Sequence, residues 1–101
     1  MYLYNTEYDV NMQHNKLDSK FNIAVGKVFK RLRESNSKGS ICRFSSEYDF
    51  DRGNLSKLER GINGCNLITA YKLSEAIGVK FSVFAEMLEE ELGSEFKLLE
   101  E

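Results

Sequence analysis

Two short helical stretches joined by a tight connection constrain this chain more than any other feature. Ser40 is placed to cap a helix running to about Tyr48, although Arg43 at the third position rules out a reciprocal capping box. Asp51 is placed to cap the next, over about 52–60, and Gly61 ends it. Ile41, Phe44 and Tyr48 form the apolar side of the first, and Leu55 and Leu58 that of the second. Helices this short do not hold themselves together in water. They require other elements to press against, so the pair predicts a bundle in which longer helices supply the platform.

The sequence supplies those elements. Phe21, Val25, Val28, Phe29 and Leu32 repeat at helical spacing over about 20–35, with Ser19 as the expected cap. Leu67, Ala70, Leu73, Ala76 and Ile77 do the same over about 67–77, preceded by Asn63 or Asn66 and stopped by Gly78. Phe84, Ala85, Leu88 and Leu92 mark a last helix over about 83–92, with Ser82 as its expected cap. Ser45 is small enough to let another helix approach closely, and proline is absent from the chain. Residues 1–19 form a poorly patterned leader. Its YLYNTEY alternation fits a short strand, and a flexible arm fits equally well. Residues 20–92 make one all-α domain of five helices, and 93–101 an acidic tail.

Several function classes lose their footing here. No apolar run exceeds four residues, so no membrane-spanning helix is expected, and the first residues lack the pattern of a secretory signal. Cys42 and Cys65 make neither a disulfide framework nor a zinc site and read as filler or surface thiols. A reducing cytoplasm is the expected compartment. The single histidine, His14, stands in a polar stretch and reads as inert. No metal or cofactor is expected, and no Ser, Lys or Glu sits in a catalytic spacing, so an enzyme is not expected. The net charge of −2 is unevenly spread. Residues 20–80 hold 12 basic against 6 acidic side chains, whereas 81–101 hold one lysine and seven glutamates. A basic middle keeps nucleic acid open as a partner, because binding depends on the local field of one face.

The letters GKVFKRLRES (26–35), SICRFSSEYDFDRGNLSKLERGIN (40–63) and LITAYKLSEAIGVKFSVFAEML (67–88) resemble, in order and spacing, the helix-turn-helix domain of phage Cro and CI repressors and their bacterial Xre-group relatives. LSKLERG (55–61) is the most specific piece. The resemblance implies a five-helix lambda-repressor-like fold. Its function would be sequence-specific duplex-DNA binding in transcription regulation, as a repressor reading the major groove with the helix over 52–60. Asp49 stands where the turn usually opens with glycine, a mild departure because Asp tolerates the left-handed conformation. Ile41 stands where glutamine is common, which removes one phosphate contact.

The resemblance and the chemistry of the side chains together assign the contacts. Arg52, Gly53, Ser56, Lys57 and Asn63 are the expected base contacts, with Arg52 able to grip guanine through two hydrogen bonds. Lys38, Ser40, Arg43, Asn54 and Arg60 are the expected phosphate contacts. Asn54 has the alternative of facing a neighbouring helix, and Arg60 of capping its own. Lys27, Lys30 and Arg31 read as ordinary surface charges. Arg33 and Glu59, both placed by the resemblance, are expected to form a structural ion pair between the first helix and the reading helix, since a guanidinium can hold a carboxylate with two parallel bonds. A homodimer is expected, fully formed only on DNA if the tail glutamates repel, through the fifth helix and tail, where Phe81, Met87, Phe96, Leu98 and Leu99 are many for one small core. The competing reading is an antitoxin or protein-interaction module whose acidic end (Glu86, Glu89, Glu90, Glu91, Glu95, Glu100, Glu101) meets a basic protein.

Overall fold

The computed structural model describes residues 4–36 and 38–99, with side chains from Lys16 onward. It is all-α: α1 (Tyr4–Ser35), α2 (Ile41–Tyr48), α3 (Arg52–Glu59), α4 (Leu67–Ile77) and α5 (Phe81–Leu92). Among the described residues there is no strand, and no helix is long and apolar enough to cross a membrane.

The helix ends follow local chemistry. The Ser40 hydroxyl accepts from the Arg43 amide (3.1 Å), the Asp51 carboxylate from the Asn54 amide (2.8 Å) and the Asn66 carbonyl from the Thr69 amide (2.8 Å). Each satisfies one amide that the first turn of a helix leaves without a partner. Of the two asparagines that could open α4, Asn66 does so. Asp49 ends α2 in the left-handed conformation (φ 60°), as the aspartate reading expects.

Two starts differ from the sequence expectation. The helix expected over 20–35 begins at Tyr4, so the segment read as a leader, strand or arm is helical from there, and Ser19 is an interior position rather than a cap. No glycine or proline lies between residues 4 and 25 to break it, and Tyr4 and Tyr8 stand four apart as well as alternating. Residues 1–3, the side chains of Tyr4, Tyr8 and His14, and Glu100 and Glu101 lie outside what is described. Helix α5 begins at Phe81 with Lys80 as its cap and no side-chain cap bond, two residues before the start that Ser82 suggested. The chain leaves the Gly78 turn and re-enters a helix almost at once, which puts Ser82 inside the first turn.

The core lies between α1 and the other four helices. Val28, Phe29, Phe44, Leu73 and Ser74 are sealed from solvent, ringed by Ala24, Val25, Leu32, Leu55, Leu58, Ala70, Ile77, Phe84 and Leu88. The Phe29 and Phe84 rings stack at 4.2 Å and tie α1 to α5. Burying each large apolar side chain is worth about 1.5–3 kcal/mol, which is how α2 and α3 persist despite their length. Ser45 is buried as expected, its hydroxyl donating to the Ile41 carbonyl at 2.6 Å. Leu67, expected to face inward, is instead 70% exposed, because the buried side of α4 runs through Ala70, Leu73, Ser74 and Ile77 and Leu67 falls at its edge.

Two glycines set where α3 ends. A Cβ on Gly26 of α1 would stand 2.5 Å from the carbonyl oxygens of both Leu58 and Glu59. One on Gly61 (φ +77°) would stand 2.6 Å from Ile23 Cγ1. The last turn of α3 therefore rests directly on the backbone of α1, closer than any side chain would permit.

Candidate nucleic-acid interface

That backbone seat is reinforced by charge. Arg33 Nε and Nη2 each donate to the Glu59 carboxylate at 2.9 Å, and Arg33 Nη1 donates to the Gly39 carbonyl at 2.6 Å. The paired side chains are only 7% and 8% exposed. Hydrogen bonding and charge from Glu59 raise the Arg33 pKa above its ordinary value, more than burial lowers it. One guanidinium thus joins the end of α1, the loop before α2 and the end of α3. The expected ion pair is present, and the bond to Gly39 adds a third anchor that the spacing of the sequence did not disclose.

With its far end fixed, α3 turns Arg52, Gly53, Asn54 and Lys57 to solvent, with Ser56 half-buried beside them. Arg52, Gly53, Ser56 and Lys57 share one face, since positions three and four apart on a helix lie together. Arg52 reaches back to α2, its Nη1 lying 3.9 Å from Cys42 Sγ. Asn54 lines a hollow of about 320 Å³ between α3 and the loop before α4, together with Asn63, Gly64 and Asn66. This favours its neighbour-facing alternative. Asn63 is exposed at the rim of that hollow.

The expected phosphate-contacting residues divide. Ser40 and Arg43 are exposed at the start of α2. Arg60 bonds its own helix, Nε to the Ser56 carbonyl at 3.3 Å, which is its capping alternative. Lys38 is half-buried: its ammonium donates to the Tyr48 hydroxyl at 3.2 Å and lies 5.6 Å from the ring centroid. Elsewhere Lys27 and Arg31 meet Glu91 at 3.9 and 3.2 Å, and Arg33 is spent on Glu59. Among the described residues Arg43, Arg52, Lys57 and Arg60 form no salt bridge, so the positive charge of the α2–α3 face is left available. A capped helix eight residues long with that face outward can enter a groove the width of the duplex major groove.

No protein-family model matches this chain, and no curated protein matches it.

Both cysteines are free thiols. Cys42 is exposed on α2, while burial pushes the Cys65 thiol up to about 11. At the other end of the domain, Phe81 and Met87 are half-buried against the core and Phe96 lies 6.3 Å from Phe21. Of the surplus apolar residues read there, Leu98 and Leu99 are the ones left exposed. The sequence reading missed Gly26 as a seat for α3. A signal was present, because a glycine inside a helical pattern costs about 1 kcal/mol and calls for a packing reason.

Proposed function

We propose that this chain is a sequence-specific duplex-DNA-binding transcriptional regulator, a cytoplasmic repressor of the helix-turn-helix kind. Helix α3 lies in the major groove, with Arg52, Gly53, Ser56, Lys57 and Asn63 at the base edges and Ser40 and Arg43 at the phosphates. One observation carries this reading. The rear of α3 is fixed by Gly26, Gly61 and the Arg33–Glu59 pair, while its outer face holds cations that no carboxylate neutralises among the described residues. An exposed helix held at a set angle with unspent charge is the form a groove-reading element takes. The regulator acts as a homodimer, because one domain reads one short half-site and two half-sites about 34 Å apart multiply the affinity.

Binding to random and to selected duplexes at two salt concentrations tests this. A dimer neutralising about six to ten phosphates loses about 10³- to 10⁵-fold in affinity between 50 and 200 mM salt. Arg52→Ala is expected to cost about 1–3 kcal/mol at one base pair, whereas Arg43→Ala weakens all sequences alike. Absence of binding at low salt, or DNA-induced amide shifts that spare residues 52–63, would overturn it in favour of a protein-interaction module.

A further inference from the structure

The first turns of α4 carry the largest apolar surface left uncovered on a single helix among the described residues. Leu67 is 70% exposed, Ile68 68% and Tyr71 53%. Spacings of three and four place them on one face, and this face continues into Lys72 and Glu75, both exposed. Past its far end lies a hollow of about 480 Å³, lined by Tyr71, Gly78, Val79 and Phe81. A Cβ on Gly78 would meet nothing within 4 Å, so the hollow is open there. The Tyr71 and Phe81 rings stack at 5.6 Å and join ridge to hollow.

A ridge and a hollow on one face, ten residues apart along a helix, fit a second copy running antiparallel. We propose that the outer face of α4 is the seam of a homodimer. With the two-fold axis midway between Lys72 and Glu75, Ile68 of one protomer settles over the partner's Val79, beside the partner's Gly78, and Leu67 lies against the stem of the partner's Lys80. Lys72 then faces the partner's Glu75, and Glu75 faces the partner's Lys72. The charge order along the helix is thus complementary to its own reverse, as an isologous contact requires. An unrelated partner would have no reason to match that order.

The three ridge side chains expose roughly 350–400 Å² between them, against the ~800 Å² per partner of a standard stable interface. The contact is accordingly small, and the dimer is expected only at high protein concentration. Its seam lies away from the tail, where Met87 and Phe96 are engaged within their own chain. The association needs no DNA, so its failure and that of the DNA reading are separate results.

Sedimentation equilibrium of the full chain without DNA, up to about 1 mM, tests the seam. The expected result is a monomer–dimer equilibrium that Ile68→Glu weakens about tenfold or more. Lys72→Glu sets two carboxylates against each other and Glu75→Lys two ammoniums, so each variant alone associates more weakly than the parent chain. An equimolar mixture of the two restores opposite charges at both contacts and associates about tenfold more tightly than either alone. All these positions are exposed, and circular dichroism checks that the variants fold. A chain monomeric at about 1 mM, a mixture no tighter than its components, or a dimer lost in Leu99→Glu but kept in Ile68→Glu would overturn the proposal.

Discussion

Replacing Glu59 by alanine removes two of the three acceptors of a guanidinium that has almost no access to water. Arg33 keeps its bond to the Gly39 carbonyl but loses two charge-assisted bonds of 2.9 Å. Its side chain is 7% exposed, so solvent does not replace them. Stranding one member of such a pair costs about 3–5 kcal/mol. Domains of this size hold about 5–15 kcal/mol in total, and each kcal/mol moves the midpoint by about 4–8 °C. Thermal unfolding followed by circular dichroism should therefore show Tm falling by at least about 12 °C. A control separates the pair's net worth from the penalty of breaking it. Arg33→Met combined with Glu59→Leu removes both charges together and is expected to recover most of the loss, since apolar replacement of a buried pair is often neutral. A Glu59→Ala chain that melts with the parent would refute the argument that this pair fixes α3. A double variant as unstable as Glu59→Ala would show that lost packing, rather than a stranded charge, sets the cost.

Gly53→Ala is expected to move stability and binding in opposite directions. The new Cβ meets the Asp51 Oδ1 that caps the helix, at 3.3 Å, so displacement of the cap offsets part of the ~1 kcal/mol that replacing a helical glycine brings, and stability rises only slightly while DNA affinity falls; affinity unchanged in a titration would mean that no surface approaches α3 there. The Cys65 thiol, held up at about 11 by burial, makes stability fall as pH rises from about 8.5 toward that value, because the unfolded chain loses its proton first. Denaturant midpoints across that range check the slope, which Cys65→Ser should reduce. Mass spectrometry of the folded chain after iodoacetamide at about pH 8 should find Cys42 labelled well before Cys65, and equal rates would refute the burial argument.

Capping chemistry made most of the fold legible before any coordinates. Ser40, Asp51, Asn66, Gly61 and Gly78 act within a turn of themselves, and their signals survived folding unchanged. What failed depended on context. The alternating tyrosines near the start read as a strand because period two and period four coincide at Tyr4 and Tyr8, and only the absence of a breaker distinguishes them. Leu67 carried the right spacing for the core, yet it falls at the edge of the stripe formed by Ala70, Leu73, Ser74 and Ile77 and faces solvent. Periodicity states which residues share a face but not where the opposing wall ends. On the candidate interface, Arg33 and Glu59 were readable because a motif fixes both. The attachment of Lys38 to Tyr48 was not, because ten residues and a turn separate them and no spacing rule relates a loop lysine to a helix tyrosine.

The seat of α3 on α1 has a consequence for how such a chain can drift. Apart from the Asp51 cap, what fixes the helix acts on its inner side or its last turn: Leu55, Leu58, Glu59 and the two glycines. Arg52, Gly53 and Lys57 lie outside those contacts, and substitutions without shared partners act nearly independently. Successive replacements at these three positions can accumulate without a folding penalty that later changes must repair. Meanwhile Gly26 tolerates almost nothing, since even a methyl group there would press on two carbonyl oxygens. A lineage descended from this chain would thus vary fastest on the outer face of α3 and slowest at a buried glycine behind it.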